Sequence, residues 1–223
     1  MDALPELFGY DLSHYVVAAE RILAYKRIPH RRVPVSYYDK RELLRRTGQD
    51  YVPALVWDGR VVPWKEIPEF LEARQPDPTI FPPGLGPAAR VIENWGHHVV
   101  EERVWRFVVP EAVRTFSDEV ERWVFEELQR RARGPLELLA ARREEFRAEM
   151  HEPLRLVEGL LDGREYLLGP ASLADFGVFG SLSPLRYVGE EIPREFPRLG
   201  AWYDRIARIP STAREPPAPR GPA

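Results

Sequence analysis

The chain has 223 residues, 44% of them hydrophobic, with a net charge of −3 and a pI of about 6.0. That suits one large domain or two small ones, and the interleaving of arginines with acids leaves no basic stripe for nucleic acid. The absence of cysteine excludes disulfides, catalysis by a protein thiolate and sulfur-ligated metals, while no apolar run reaches the roughly 18 residues of a membrane span.

Residues 5–10 form a short apolar run, read as a first strand. Ser13 after the Asp11–Leu12 turn is a good N-cap, because its hydroxyl can accept from an orphan N–H of the first turn. Tyr15, Ala18, Ala19, Ile22 and Leu23 then recur at helical spacing, and that helix must end before Pro29. Residues 31–37 alternate around Val33 and Val35, so they read as a second strand, with Pro34 placing it at an edge or a bulge. Asp39 caps a short polar helix through Arg46, which Thr47 and Gly48 stop.

Residues 54–57 and 60–62 flank Asp58-Gly59, the pair best suited to the two positive-φ positions of a type I′ hairpin. Pro53 has no N–H for a ladder and must stand at its strand's start. A third helix covers residues 66–74, with Pro68 tolerated near its beginning. Residues 75–87 carry two proline-rich clusters and no periodicity, and read as a linker.

Beyond the linker the pattern is helical, with no strand periodicity. Helices are expected at 88–109, at 117–131, at 136–161 with a bend at Pro153, and at 197–209. Ser172 followed three residues later by Asp175, ahead of an apolar run, is a capping-box arrangement. The tail after Pro210 is proline-rich, and its composition does not support a packed structure.

The strand and helix order β-α-β-α-β-β-α, with Val52-Pro53 opening the third strand, resembles a thioredoxin-like domain. Tyr166-Leu167-Leu168-Gly169, followed after a short gap by Ser172-Leu173-Ala174-Asp175-Phe176, is similar to the signature in the helical domain of cytosolic glutathione transferases. The resemblance spans about residues 7–209. It implies an α+β chain: a thioredoxin-like domain at 1–75, a linker at 76–87, an all-helical domain at 88–212 and a tail at 213–223, with the active cleft between the domains. It further implies a cis Val52–Pro53 bond, glutathione as co-substrate, a small electrophile as second substrate and a homodimer. Nucleic acid and membrane are not expected partners. With no signal-peptide pattern at the N-terminus, the expected location is the cytoplasm.

Such an enzyme ionises a thiol at neutral pH, which needs a hydrogen-bond donor and a helix N-terminus, since a free thiol has a pKa near 8.5. In serine-type relatives the donor follows the first strand, where Ser13 falls. Ser13 is therefore either the catalytic hydroxyl or an N-cap alone, and Tyr10 and Tyr15 are neighbouring hydroxyls. His14 reads as a solvated loop histidine. Ser13-His14-Tyr15-Val16 stands where redox relatives have Cys-x-x-Cys, so disulfide exchange is excluded. The resemblance assigns the backbone of Val52, ahead of Pro53, to the cysteinyl part of glutathione, with Gln49, Asp50 and Tyr51 just before it.

The family usually has an acidic residue then serine where this chain has Pro63 and Trp64. That pair grips the γ-glutamyl group at a helix N-terminus. Either Trp64, Lys65 and Glu66 reach the group from shifted positions, or the glutathione site is degenerate and the chain is a non-catalytic binding or interaction module. For the second substrate the candidates are Tyr10, Trp95, His98 and Trp105, with Phe107 nearby; aromatics at helical spacing are also what a core contains. His97 and Glu101 lie one turn apart, but two ligands make no metal site, and none is assigned.

Overall fold

The hairpin forms as its Asp-Gly pair dictates: Asp58 has φ 49° and Gly59 φ 77°, both left-handed. In the computed structural model, which describes residues 4–214, it joins β3 (Ala54–Trp57) to β4 (Arg60–Pro63). Before it come β1 (Glu6–Gly9), α1 (His14–Tyr25), β2 (His30–Pro34) and α2 (Arg41–Thr47). After it a short 3-10 turn, Trp64–Glu66, leads into α3 (Ile67–Arg74). The Val52–Pro53 and Asp77–Pro78 peptides are cis.

The strands form one mixed sheet in which β1 runs parallel to β2 and antiparallel to β3. The order β4-β3-β1-β2 is thioredoxin-like. One strand was not expected. Ala213–Arg214, placed by composition in an unstructured tail, forms a parallel edge strand β5 opposite His30–Arg31. Pro34 limits how far this edge can extend, because it has no N–H to offer. The remaining tail, 215–223, lies outside the described residues.

The rest is helical: α4 (Gly86–Trp95), a π turn (Gly96–Val100), α5 (Glu101–Arg114), α6 (Glu119–Arg133), α7 (Leu136–Ala141), α8 (Arg143–Leu160), α9 (Leu173–Tyr187) and α10 (Pro197–Ala207). The helix expected at 88–109 is thus two helices joined by a π turn, and it continues past Pro110. The helix expected at 136–161 is interrupted at Arg142 instead of Pro153, which sits buried inside α8.

α9 is the axle of the molecule. Leu173–Leu182 is buried without a gap. A Cβ on Gly180 would overlap the His14 carbonyl oxygen and press on Ala18, and one on Gly177 would meet Glu93. These two glycines let α9 lie against α1 on one side and α4 on the other, joining the sheet domain to the helices. A second tie is Lys26, fully buried at the end of α1. Its ammonium donates to Glu72 at 2.6 Å, to the Gln75 carbonyl at 2.7 Å and to the Pro78 carbonyl at 2.9 Å. Three acceptors at an otherwise desolvated cation hold the start of the linker in place.

Candidate functional site

Ser13 caps α1, accepting from the Val16 amide at 3.4 Å through its side-chain oxygen. That bond is long and leaves the hydroxyl proton uncommitted, so the side chain can donate outward as well as cap. The first turn of α1 carries no acidic residue to offset its positive end. Ser13 is half-buried at the C-terminal end of β1. β1 pairs with β3 as Glu6 to Val56, Leu7 to Leu55 and Phe8 to Ala54. The ladder ends at that pair: Pro53 and Val52 precede β3, and Tyr10 follows β1, three residues before Ser13. Among the described residues nothing bonds the amide or carbonyl of Val52. Backbone groups of this kind are open to an extended peptide.

The residues before Val52 hold the loop rather than project from it. The Gln49 side-chain amide donates to the Tyr51 carbonyl at 2.9 Å, and Lys40 reaches the Asp50 carbonyl at 2.8 Å. Tyr51 and Asp50 are exposed, and Pro53 is buried.

Trp64 fills the space beside α1. Its ring lies against Tyr15, centroids 5.0 Å apart, and edge-on to His97 at 5.3 Å. Lys65 is exposed beside it. His14 is not a solvated loop residue: it opens α1, and its ring packs on Tyr15 and His97, with centroids 4.0 and 5.1 Å away. Burial, followed by His97, Arg133 and His98, holds the His14 imidazole well below the usual 6.5. His97 is lowered by burial as well, with Glu93 at 3.4 Å partly restoring it. Glu101 stands 3.8 Å from His14 and pairs with Arg133 at 2.9 Å. Burial pushes its carboxyl up to about 7, against the pull of Arg133. Among the described residues no group of three or more metal-binding side chains occurs.

Open space lies against residues 9–12, just before Ser13, which does not itself line it. A cavity of about 240 Å³ opens between the domains, lined by Tyr10, Leu12, Val35 and Tyr37 from the sheet side and by Phe116, Asp118 and Glu121 from the helical side. Tyr10 stacks on Tyr37 with centroids 4.0 Å apart and 12° between the planes. Burial, then Glu121 and Asp50, pushes the Tyr10 hydroxyl up to about 12, so it stays protonated.

Of the expected pocket residues only Tyr10 reaches this cavity. Trp105 is 5% exposed and packs on Phe125 beneath Arg133, which makes it core. Phe107 is likewise core, under Arg143. Trp95 packs half-buried against the main core, and His98 faces solvent. The resemblance places these candidates on the first helix of the helical domain, which a π turn at Gly96–Val100 divides in two. Phe116, Asp118 and Glu121 were missed because Phe116 precedes the helix expected at 117–131, while Asp118 and Glu121 are polar positions at its start that meet the sheet side only through domain packing.

Two family models match the chain: the Glutathione S-transferase, N-terminal domain over residues 7–78 and the Glutathione S-transferase, C-terminal domain over residues 140–205. No curated protein matches it. Among solved structures, glutaredoxin 2 from Salmonella typhimurium in complex with glutathione has a TM-score of 0.77 at 21% identity, covering 94% of this chain and 95% of that one. A glutathione S-transferase from Rhodospirillum rubrum gives 0.71 at 23% identity, with 94% and 90% covered. A glutathione transferase from Phanerochaete chrysosporium gives 0.78 at 16% identity, with 94% and 98% covered.

Proposed function

The chain belongs to the glutathione S-transferase superfamily, and on that footing we propose that it is a thiol-dependent transferase working in the interdomain cleft. Two observations support this reading: among the described residues the Val52 backbone has no hydrogen-bond partner, and the first turn of α1, capped by Ser13, carries no acidic residue. Glutathione would lie along Val52 as an added strand, its sulfur toward Ser13. The Ser13 hydroxyl then donates to the thiolate, and the α1 dipole adds to that stabilisation. The thiol proton leaves to solvent. Sulfur forms a bond to an electrophilic carbon of the second substrate: by addition, the carbon's π bond breaks and its electron pair takes a proton from solvent; by displacement, a halide or ether oxygen departs with the bonding pair, the oxygen then taking a proton from solvent. The cavity over Tyr10 and Tyr37 receives that substrate.

A second reading has its own support. Trp64 occupies the position where relatives place a serine, packed against Tyr15 and His97. With Pro63 and Trp64 there, the γ-glutamyl end loses an N–H and a hydroxyl, and the cleft becomes a binding site without conjugation. In either case the protein is proposed to be cytoplasmic and to form a homodimer, as relatives do; among the described residues no helix is long and apolar enough to cross a membrane.

Calorimetry with reduced glutathione separates the two readings. Binding at or below millimolar concentration, with turnover of 1-chloro-2,4-dinitrobenzene, supports the transferase. Absence of binding at that concentration supports the second.

A further inference from the structure

The cavity's lining is lopsided in charge. Asp11, Asp118 and Glu121 are the acidic residues that line it, and among the described residues no lysine, arginine or histidine does. Arg32 pairs with Asp11 at 3.3 Å; it is shared with Glu20 at 2.6 Å and the Gly9 carbonyl at 2.8 Å and does not line the cavity. Among the described residues neither Asp118 nor Glu121 pairs with a basic side chain. Asp118 accepts from the Val120 and Glu121 amides at the start of α6, and Glu121 accepts from the Tyr37 amide at 2.8 Å. Those contacts fix both carboxylates in place; the start of α6 partly offsets Asp118, and Glu121 has no basic partner among the described residues.

The sheet side of the cavity is aromatic. Tyr10 and Tyr37 form a stacked pair, and Phe116 of the helical side meets Tyr37 edge-on at 5.6 Å. Aromatic faces attract cations, more strongly where water is excluded. Flat rings also offer a large contact area to another ring.

We propose that this cleft selects a planar substrate bearing a positive charge: its ring packs against Tyr10, Tyr37 and Phe116, and its cationic group faces Asp118 and Glu121. The inference rests on the reading above that the cavity holds the second substrate, and it adds the chemical class of that substrate. Both tyrosine hydroxyls agree with a negative local field, since Glu121 raises each of them beyond what burial does.

The test uses three probes with one ring system: 1-naphthylmethylammonium, 1-naphthalenemethanol and 1-naphthoate, titrated into the full chain by calorimetry at pH 7.5. The ammonium should bind at least tenfold more tightly than the carboxylate, with the alcohol between them. Raising salt from 20 to 500 mM should weaken the ammonium several-fold and leave the alcohol unchanged. In Glu121→Gln with Asp118→Asn, whose amide oxygens can still accept from the same N–H groups, the gap should shrink at least threefold. If the double variant does not fold, Glu121→Gln alone carries that arm. Equal affinities, or a preference for the carboxylate, would overturn the charge selection while leaving the cavity as a substrate site. Failure of all three probes to bind would overturn both.

Discussion

Trp64 and Tyr15 meet ring to ring, 5.0 Å between centroids, where the start of α3 faces the start of α1. If glutathione lies as proposed, the contact fills with indole the ground that its γ-glutamyl group would take. Trp64→Ser should therefore raise affinity for glutathione severalfold, as calorimetry would register. The variant should also lose about 1–2 kcal/mol of stability through the aromatic contacts given up with Tyr15 and His97. Unchanged or weaker binding would mean that the indole does not obstruct the ligand.

Asp175 accepts from the Leu167 amide, the Ser172 amide and hydroxyl and the Trp202 indole, all at 2.9 Å, and is fully buried. Burial raises its carboxyl, and those bonds pull it back. Asp175→Ala should cost about 3–5 kcal/mol, because four donors are left without an acceptor in the core. Asp175→Asn, which keeps one acceptor oxygen, should cost less. Chemical denaturation would rank them, and equal losses would contradict this assignment.

Gly180 sets how closely α9 approaches α1. Gly180→Ala should cost about 1–3 kcal/mol, since a methyl there meets the His14 backbone and not a side chain that can swing away. Because His14 adjoins Ser13, any conjugating activity should fall with it. A variant as stable as the parent would show that the two helices can separate freely.

Much of this was legible in the sequence, and the reasons differ by element. Asp58-Gly59 specified its hairpin because the turn's dihedrals admit few other residues. Ser172 and Asp175 specified a helix start, although there the Ser172 hydroxyl donates to the carboxylate while the Asp175 amide bonds the Ser172 carbonyl. Three features were not legible. The π turn at Gly96–Val100 leaves no mark in a 3.6-residue pattern, and Trp105, a pocket candidate by resemblance, lies in the core. Ala213–Arg214 forms a strand by pairing with distant His30 and Arg31, which short-range composition does not report. Glu121 and Tyr37 are 84 residues apart and meet only through the packing of the two domains.

Glu101 gives the protein a signature against pH. Its folded pKa of about 7 lies above the 4.5 of an ordinary glutamate. Between those values the native state keeps a proton that the unfolded chain has lost, so this group's contribution to stability falls as pH rises. His14 and His97, both lowered by burial, act in the opposite sense and cost stability as pH drops below about 6.5. Glu101→Gln isolates the first effect. Its stability relative to the parent should improve by about 1–3 kcal/mol from pH 5 to pH 7.5 and then level off. A difference independent of pH would place the carboxyl's titration elsewhere.

The central claim is that Ser13 stabilises a thiolate laid along Val52. Its most direct measurement is the ultraviolet absorbance of the thiolate during a pH titration of glutathione bound to the full chain, for the parent and for Ser13→Ala. The account predicts a bound thiol that ionises at least one unit below the free value near 8.5, and a return most of the way to that value in the variant. A bound thiol with an unshifted pKa, or a shift that survives the loss of the hydroxyl, would contradict it.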